Sequence, residues 1–405
     1  MPSTLPEGEP VPPTGELPTA ALVTVAETPL SFYLHVPFCT TRCGYCDFNT
    51  YTAGELGNAP GASRVGYPEE VLAELDLARR VLGPNTPTVG TVFVGGGTPT
   101  LLPADDLGRM LSGIRDRFGL ADDAEITTES NPESIDEAGM SRLVDHGFTR
   151  ISFGMQSVRP HVLAVLDRVH TPGRPQQAVA EAKRAGFAQT SLDLIYGTPG
   201  ESLSDWEASL RAAIDAEPDH VSAYSLIVEP GTRLAARIRR GELPMTSEDD
   251  LADKYELAEK LLIEAGYANY EISNWSRGPE SRCRHNLAYW LGHNWWGVGP
   301  GAHSHVGGVR WWNVKHPAAY ASKLDQGISP AYAREQLTAE ERRTERVLLE
   351  LRLDTGLDPA VLTDRERDRI PDLRARGLIA DRDDQLVLTA AGRLLADGIV
   401  RDLLD

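Results

Sequence analysis

The chain has 405 residues, 41% of them hydrophobic, and its 40 Lys and Arg against 59 Asp and Glu give a formal net charge of -19. This length and hydrophobic content predict a globular protein of two or three domains. So acidic a chain lacks the basic surface that binds a phosphate backbone, which argues against nucleic acid as a partner. The absence of any apolar run of about 18 residues argues against an integral membrane protein.

The N-terminal region, residues 1–27, is expected to be a disordered tail. It has six prolines and three glutamates before Ala20, and it has no apolar periodicity. The first Lys or Arg is Arg42, so the basic region of a secretory signal is not expected. Three of the four cysteines fall within eight residues, which favours a metal site over disulfides. These features predict a cytoplasmic protein.

From Ser31 onward, short strand-like segments alternate with amphipathic helical segments. Apolar residues recur at three- and four-residue spacing in the predicted helix 104–118, for example. This alternation predicts an α/β fold with a parallel sheet. Six strand–helix units match an open, TIM-like partial (β/α)6 barrel, here assigned to residues 28–250, although a doubly wound sheet remains open. The six predicted strands are 31–38, 91–96, 125–130, 150–156, 190–197 and 220–228.

The remaining chain divides into two further regions. Residues 251–330 begin with a predicted helix, 251–265, and continue into a Trp-, His- and Gly-rich stretch, 267–313, that is expected to close the side of the barrel. Residues 331–405 are predicted to form a mainly helical, winged-helix-like domain. Its predicted elements are helices at 338–352, 358–363, 367–377 and 390–404 and a hairpin around Asp383 and Asp384.

A winged-helix pattern is compatible with a redox-responsive DNA-binding regulator or with a lid over the barrel mouth. Residues 331–405 contain 13 Arg, no Lys and 17 Asp or Glu, a net charge of 13 minus 17, or -4. A domain that reads a DNA groove should be basic, so the charge favours the lid.

A CxxxCxxC motif formed by Cys39, Cys43 and Cys46 directly follows the first predicted strand. Three thiolates in one loop can hold a [4Fe–4S] cluster and leave the fourth iron open to another ligand. The alternatives are a zinc site completed by His35, or buried free thiols. Zinc prefers four closed ligands and paired CxxC spacing, so the motif favours the cluster.

Further candidate site residues lie near the ends of the later strands. Residues 95–99 read GGGTP, where glycines let exposed backbone approach a ligand, although a tight turn has the same composition. Glu129, Gln156 and Asp193 lie near the carboxyl ends of strands, where barrel enzymes assemble their sites. Helix capping or core hydrogen bonding would also explain Glu129 and Gln156. Asp193 lies in an apolar run and needs a ligand or a hydrogen-bond donor.

Four sequence motifs resemble the radical S-adenosylmethionine (SAM) group of oxygen-independent coproporphyrinogen dehydrogenases (HemN) and haem chaperones (HemW). They are YxHxPFCxxxCxYCxF at 33–48, GGGTPT at 95–100, SFGMQS at 152–157 and DLIYGTPGE at 193–201. The resemblance covers about residues 30–400. It implies a radical SAM barrel whose open iron chelates SAM, with one electron from the cluster cleaving the sulfonium bond.

The same resemblance implies a set of SAM contacts. Two of its members have an alternative explanation: Arg168 could form a surface salt bridge, and Ile227 could be a core residue. The set is Tyr33, Tyr45, Gly96, Gly97, Thr98, Glu129, Gln156, Arg168, Asp193 and Ile227.

Two features separate the dehydrogenases from the chaperones within this group. The dehydrogenases resemble CxxxCxxCxC, whereas this chain has Phe48 in place of the extra cysteine. The HemW-type members have Phe there and carry an HNxxYW motif, which this chain has at residues 285–290. The resemblance therefore implies a haem chaperone that receives electrons from a donor and delivers haem to an acceptor protein. A coproporphyrinogen III dehydrogenase, which catalyses oxidative decarboxylation, is the alternative.

The HNxxYW motif supplies the candidate haem contacts His285, Tyr289 and Trp290. An imidazole beside aromatic rings can ligate haem iron and pack on the porphyrin. Spacing alone would favour a hydrogen-bonded histidine that caps the barrel. Cys283 is read as a small buried residue. The sequence does not rank the other nearby candidates, His293, His303 and His305.

Overall fold

The structure is a computed structural model that describes residues 7–57, 61–168 and 170–404. Its strands are β1 (Leu30–Val36), β2 (Val89–Gly96), β3 (Leu120–Ser130), β4 (Arg150–Gln156), β5 (Gln189–Tyr196), β6 (His220–Ser225), β7 (Ala268–Glu271), β8 (Asn274–Ser276), β9 (Asn294–Val298), β10 (His303–Val306), β11 (Val309–Asn313), β12 (Ala331–Gln336), β13 (Ile379–Arg382) and β14 (Gln385–Leu388).

Its helices are α1 (Thr19–Val23), α2 (Ala53–Leu56), α3 (Tyr67–Leu82), α4 (Ala104–Phe118), α5 (Glu137–Asp145), α6 (Pro160–Val165), α7 (Arg174–Ala185), α8 (Leu203–Asp215), α9 (Arg233–Arg239), α10 (Glu248–Glu264), α11 (Arg284–Trp290), α12 (Pro317–Asp325), α13 (Ala339–Glu350), α14 (Asp364–Arg367), α15 (Ile370–Ala375), α16 (Ala390–Leu394) and α17 (Ala396–Leu404).

Strands β1 to β6 form the parallel core of one large sheet, and each pairs with the next in chain order. A doubly wound sheet would reverse its strand order at a switch point, so this topology excludes it. The predicted partial (β/α)6 barrel is confirmed. Because parallel strands run in one direction, the loops after β1 to β6 all open at the same end, the barrel mouth.

Helices α3, α4, α5, α7 and α8 pack on the outside of these strands. In α4 the predicted apolar stripe is buried, with Leu107, Met110, Leu111 and Ile114 each at most 1% exposed. Burying one such side chain stabilises the fold by about 1.5–3 kcal/mol. The main core therefore lies between the outer face of the sheet and this helical layer.

The stretch 267–313 extends the sheet at both edges. Strands β8 and β7 continue beyond β6, while β9 pairs in parallel with β1 and is followed by β10, β11 and β12. Because β12 pairs with β11, the predicted domain boundary at residue 331 is wrong, and the C-terminal domain begins after Gln336.

The N-terminal region packs against the edge strand β12. The backbone of Glu9 pairs with Arg334, with N–O distances of 2.7 and 2.9 Å, and Ala21 and Val25 are each 2% exposed. The prediction of a disordered tail is therefore wrong for residues 7–27, because proline-rich extended backbone can pair at a sheet edge. Residues 1–6 of that predicted tail lie outside the described residues.

The C-terminal domain contains α13 to α17 and the β13–β14 hairpin around a separate apolar core. Asp354 pairs with Arg282, and the carbonyl oxygen of the neighbouring Ser281 accepts a hydrogen bond from Arg150, the first residue of β4. Arg393 pairs with Glu259 on α10. These contacts lie at the amino-terminal strand ends and at the side of the barrel, so the prediction of a lid over the mouth is wrong.

Candidate functional site

The cysteine loop follows β1 at the barrel mouth and is fixed by backbone hydrogen bonds on both sides. The amide of Cys39 donates to the carbonyl oxygen of Tyr51 at 3.0 Å. The amide of Gly44 donates to Leu166 at 2.9 Å, and the carbonyl oxygen of Gly44 accepts from the amide of Leu234 at 2.8 Å. Helices α6 and α9 thus hold the middle of the loop, between the first and third cysteines.

The three thiols of this loop are free and partly buried. Burial, with a smaller effect of Cys46, raises the pKa of Cys39 to about 11, and burial also raises the pKa of Cys46. These two thiols are therefore protonated at neutral pH, and iron must displace the protons when it binds. The guanidinium of Arg168 donates toward Cys43 Sγ over 3.7 Å, which stabilises negative charge on that sulfur.

The donor set fits an iron–sulfur cluster better than zinc. Both ring nitrogens of His35, the predicted fourth zinc ligand, are engaged: Nδ1 lies 3.0 Å from the Tyr33 hydroxyl and Nε2 lies 2.9 Å from the carbonyl oxygen of Asn49. Among the described residues, no three His, Cys, Asp or Glu side chains converge on a single ion. In a cubane each thiolate binds a different iron, so the thiolates need not converge on one point.

The glycine loop after β2 packs directly on the cysteine loop. The amides of Gly97 and Thr98 donate to the carbonyl oxygens of Val36 and Phe38, both over 2.8 Å. A Cβ atom at position 97 would overlap the carbonyl oxygen of Phe38 and would lie 3.0 Å from Cys39 Sγ. Glycine is therefore required for this close approach of the two loops.

Two carboxylates, those of Glu129 and Asp193, lie close enough to interact electrostatically at the mouth. Glu129 Oε2 accepts a hydrogen bond of 3.0 Å from the amide of Gly96, whose φ is +112°. Burial first, and then the charge of Asp193, raises the pKa of Glu129 to about 8. Burial also raises the pKa of Asp193, and the Ser152 hydroxyl lies 2.9 Å from both of its oxygens. Ser152 is thus a hydrogen-bond donor of the kind that the sequence analysis expected a buried Asp193 to need.

Gln156 and Arg168 converge on the backbone of Gly154 at the end of β4. Arg168 Nη2 donates to the carbonyl oxygen of Gly154 at 2.9 Å, and a Cβ atom on Gly154 would lie 2.9 Å from both Arg168 Nη2 and Gln156 Nε2. Gln156 has φ +61°, which costs about 1–3 kcal/mol in a non-glycine residue and is typical of functional sites. Its Oε1 and the Nε of Arg168 are buried without a partner among the described residues. The arrangement fits a polar ligand.

The remaining predicted SAM contacts border this cluster of side chains. Burial and then Glu129 raise the pKa of Tyr33; burial and then Cys43 raise that of Tyr45. Thr98 lies next to Cys39 and favours its thiolate. Ile227 lies just beyond β6 and is 69% exposed. The alternative interpretation of Ile227 as a core residue is therefore wrong.

The HNxxYW motif forms α11, which is inserted into the amino-terminal end of the barrel. His285 is 1% exposed; its Nδ1 lies 2.7 Å from the Thr91 hydroxyl and its Nε2 lies 2.9 Å from the Tyr289 hydroxyl. The carboxylate of Glu125 accepts hydrogen bonds from the backbone amides of Arg284 and His285, both at 3.0 Å, and so caps the helix. Burial lowers the pKa of His285 to about 3.

These contacts differ from the haem role predicted for the motif. An axial ligand needs a free ring nitrogen, and both nitrogens of His285 have partners, so the structure places this residue as a hydrogen-bonded cap of the barrel. Tyr289 packs edge-on against Trp295 at 4.7 Å, and Trp290 interacts with buried Glu271. Cys283 is 2% exposed, in agreement with a small buried residue.

Comparison with known proteins places the chain in a family. The model of the Radical SAM superfamily matches residues 33–213. The "Heme chaperone HemW" of Mycobacterium tuberculosis is 53% identical over 389 residues, which cover 96% of this chain and 98% of that relative. The chain belongs to the HemW family. The HemW of Bacillus subtilis is 31% identical and covers 91% of this chain and 97% of its own length.

The same fold is found in the solved structure of coproporphyrinogen III oxidase (HemN) of Escherichia coli, which is described as a radical SAM enzyme. The two structures match with a TM-score of 0.80 and 24% identity, covering 95% of this chain and 92% of the other. At this identity the match shows a shared fold, which includes the C-terminal helical region.

Three site residues of this HemW-family chain were not predicted from sequence. Ser152 binds Asp193, Gly154 receives Arg168, and Thr91 binds His285. Ser152 and Gly154 alternate along β4 before the register shift that precedes Gln156, so the period-two rule could have placed these two on the inner face. No local signal links Thr91 to His285, which is 194 residues away.

Proposed function

We propose that this HemW-family protein is a haem chaperone that uses a [4Fe–4S] cluster and SAM and delivers haem to an acceptor protein. The observation that carries the proposal is the 53% identity, over nearly the whole chain, to the heme chaperone HemW of Mycobacterium tuberculosis. Phe48 supports it, because coproporphyrinogen dehydrogenases are expected to carry a cysteine there. The Phe48 ring is 51% exposed, beside the cluster loop.

In this proposal Cys39, Cys43 and Cys46 ligate the cluster, which when reduced supplies one electron to the sulfonium of SAM. The residues around it bind and orient SAM. Glu129 and Asp193 lie at the mouth, where the cationic ammonium and sulfonium groups of SAM would favour their deprotonated forms against the effect of burial. The unpartnered Arg168 and Gln156 atoms offer a donor and an acceptor to the polar groups of SAM.

We expect SAM to bind this protein more tightly as the pH rises toward about 8. The pKa of Glu129 is about 8 without SAM, so its carboxyl group is largely protonated at neutral pH. The cationic groups of SAM favour the carboxylate, and binding below this pKa must therefore release a proton, at a cost in affinity. Titration calorimetry of anaerobic, cluster-loaded protein in two buffers of different ionisation enthalpy measures this proton.

The control variants separate Glu129 from other titrating groups. Glu129→Gln should lose the proton release, whereas Glu137→Gln, on the exposed face of α5, should keep it. Equal proton release from wild type and Glu129→Gln would show that another group is responsible.

The proposal includes an electron donor for the cluster, an acceptor for haem and a cytoplasmic location. In the described parts of the chain, no helix is both long and apolar enough to cross a bilayer. A DNA-binding regulator is not favoured, because arginines of the C-terminal domain are paired with acids, as in Arg343–Glu366, Arg352–Asp397 and Arg376–Asp402. These pairs neutralise the charge that a DNA backbone would need.

The test is to measure haem binding and coproporphyrinogen turnover on the same anaerobically reconstituted sample. We expect stoichiometric haem binding and no decarboxylation, because both Phe48 and the family relationship favour the chaperone. Formation of protoporphyrinogen from coproporphyrinogen and SAM would replace this proposal with the dehydrogenase. Absence of haem binding under conditions in which the cluster is fully loaded would contradict it.

A further inference from the structure

Helix α9 is a basic element in an acidic chain. Residues 233–242, which are α9 and the turn after it, contain four arginines and one glutamate, a net charge of 4 minus 1, or +3. The rest of the chain contains 36 Lys or Arg and 58 Asp or Glu, a net charge of 36 minus 58, or -22. The net charge of the rest of the chain therefore repels an acidic partner protein, whereas α9 attracts it.

The arginines of α9 keep an excess of positive charge after their ion pairs are counted. Asp167 pairs with Arg233 at 3.2 Å, and Glu242 pairs with Arg240 at 2.5 Å. The side chains of these two arginines are nevertheless 66% and 57% exposed. Arg239 is also exposed, and it forms no ion pair or hydrogen bond with another described residue. Two carboxylates thus face four guanidinium groups.

The stability of the helix does not explain all of these arginines. Basic residues in the last turn interact favourably with the helix dipole, which accounts for Arg237 and Arg239. Arg233 is the first residue of α9, where its charge meets the positive end of the dipole and destabilises the helix. An exposed arginine at an unfavourable helix position points to a role outside the helix.

The basic helix lies directly on the cysteine loop. The amide of Leu234 donates to the carbonyl oxygen of Gly44 at 2.8 Å, and Gly44 follows Cys43 in the chain. Leu234 and Ile238 pack in the same small apolar core as Tyr45. The arginines lie on the exposed side of this helix, whose diameter with side chains is about 10–12 Å. An electron that arrives at α9 therefore has a short path to the cysteines.

A surface of this size suits a transient partner. Electron-transfer complexes are weak and bury small interfaces, below about 1,200 Å² in total. In such encounters complementary charges mainly raise the association rate and orient the two proteins. A positive helix of two turns on an otherwise acidic molecule gives an acidic partner one preferred orientation, with its surface toward the cysteine loop.

We propose that the arginines of α9 form the docking surface of the electron donor, an acidic one-electron carrier protein of the flavodoxin or ferredoxin class. In the docked complex one electron passes from the reduced carrier to the oxidised cluster. The carrier is oxidised by one electron, and the [4Fe–4S] cluster changes from the 2+ to the 1+ state. This inference rests on the proposed function, which requires an electron donor and leaves open where it binds.

The experiment uses an acidic flavodoxin as the probe and compares wild type with the double variant Arg239→Glu, Arg240→Glu. Calorimetry with oxidised flavodoxin measures docking, and stopped-flow mixing with photoreduced flavodoxin measures reduction of the cluster. The variant should bind more weakly, and its bimolecular reduction should be at least about tenfold slower at low salt, since electrostatic steering contributes about 10- to 1,000-fold. High salt should slow wild type toward the rate of the variant.

A matched double variant in the C-terminal domain, Arg374→Glu, Arg401→Glu, controls for total charge. Arg374 pairs with Asp381, and Arg401 is exposed without an ion pair to a described residue, so one arginine is paired and one is free, as in the α9 variant. This control should bind flavodoxin and be reduced as wild type is. Iron content, SAM affinity and photoreduction by a small deazaflavin should be equal in all three proteins.

Three results would overturn the inference. Equal rates in wild type and the α9 variant, or a rate that does not depend on salt, would show that the donor docks elsewhere. Equal slowing in both double variants would show that only total charge matters. Failure of both flavodoxin and an acidic ferredoxin to reduce a loaded wild-type cluster, which deazaflavin does reduce, would exclude an acidic carrier. Haem binding by the same wild-type sample decides the proposed function separately.

Discussion

Replacement of Cys43 by serine is expected to abolish the iron–sulfur cluster and, with it, tight SAM binding. In the proposed site three thiolates of one loop hold the cluster, and serine is a poor substitute for a thiolate, so two thiolates would have to hold the cubane. The substitution also removes the sulfur toward which Arg168 donates. Wild type should bind about four irons per chain after anaerobic reconstitution, with broad absorption near 400 nm, whereas the variant should bind almost none.

Cys283→Ser is the matched control, since Cys283 is the fourth and last cysteine of the chain. It is 2% exposed and lies beside Glu125 at the other end of the barrel, so the same change of sulfur to oxygen should leave iron content and SAM affinity unaltered. Full cluster loading in Cys43→Ser would contradict the ligand assignment. Tightly bound zinc in aerobically purified wild type, with no cluster on reconstitution, would favour the zinc site instead.

The parallel core could be predicted because its strands are rich in apolar residues, which in β1 occupy alternate positions. Phe32, Leu34 and Val36 are fully buried, and the predicted strand 31–38 overlaps the observed β1. Helix α4 has the predicted bounds, because its apolar stripe follows the helical period and Gly119 ends it. Strong local patterns of this kind do not depend on distant contacts.

The strands of residues 267–313 could not be predicted, because the signals that place them are not local. They are three to five residues long, and the parallel pairing of β9 with β1 joins Leu30 to Asn294. Trp296 and Trp311 pack against each other on the outer face while Trp295 faces inward, so no simple alternation of polar and apolar residues is visible. The ordered conformation of residues 7–27 likewise depends on backbone pairing with a distant strand, β12.

The candidate site shows the same difference between local sequence signals and distant contacts. The cysteine and glycine motifs are contiguous, and Asp193 is conspicuous as a charge in an apolar run, so sequence alone identified them. The partners that decide what a residue does are distant: Ser152 is 41 residues from Asp193, and Thr91 is 194 residues from His285. The burial of His285, which argues against a ligand role, therefore became visible only in the fold.

Two glycines of the same chain segment provide a test of how closely the cysteine and glycine loops must approach. Gly90 lies within β2, and a Cβ atom there would have no neighbour within 4 Å. Gly90→Ala should therefore fold normally, load its cluster and bind SAM as wild type does. It is the matched control for the same substitution at Gly97, seven positions further along the chain.

Gly97→Ala is expected to lower SAM affinity strongly and to reduce cluster loading. The added Cβ atom would overlap the carbonyl oxygen of Phe38 and lie 3.0 Å from Cys39 Sγ. A backbone oxygen cannot move aside as the end of a flexible side chain can, so the cysteine loop itself must shift. Overpacking of this kind costs about 1–3 kcal/mol of stability. A displacement of about 1 Å at a reacting centre can lower the reaction rate about a hundredfold. Iron analysis, calorimetric SAM titration and urea unfolding measure the three effects. If Gly97→Ala matches Gly90→Ala in all three, the cysteine loop has room to accommodate a methyl group, and the close contact between the two loops does not position SAM.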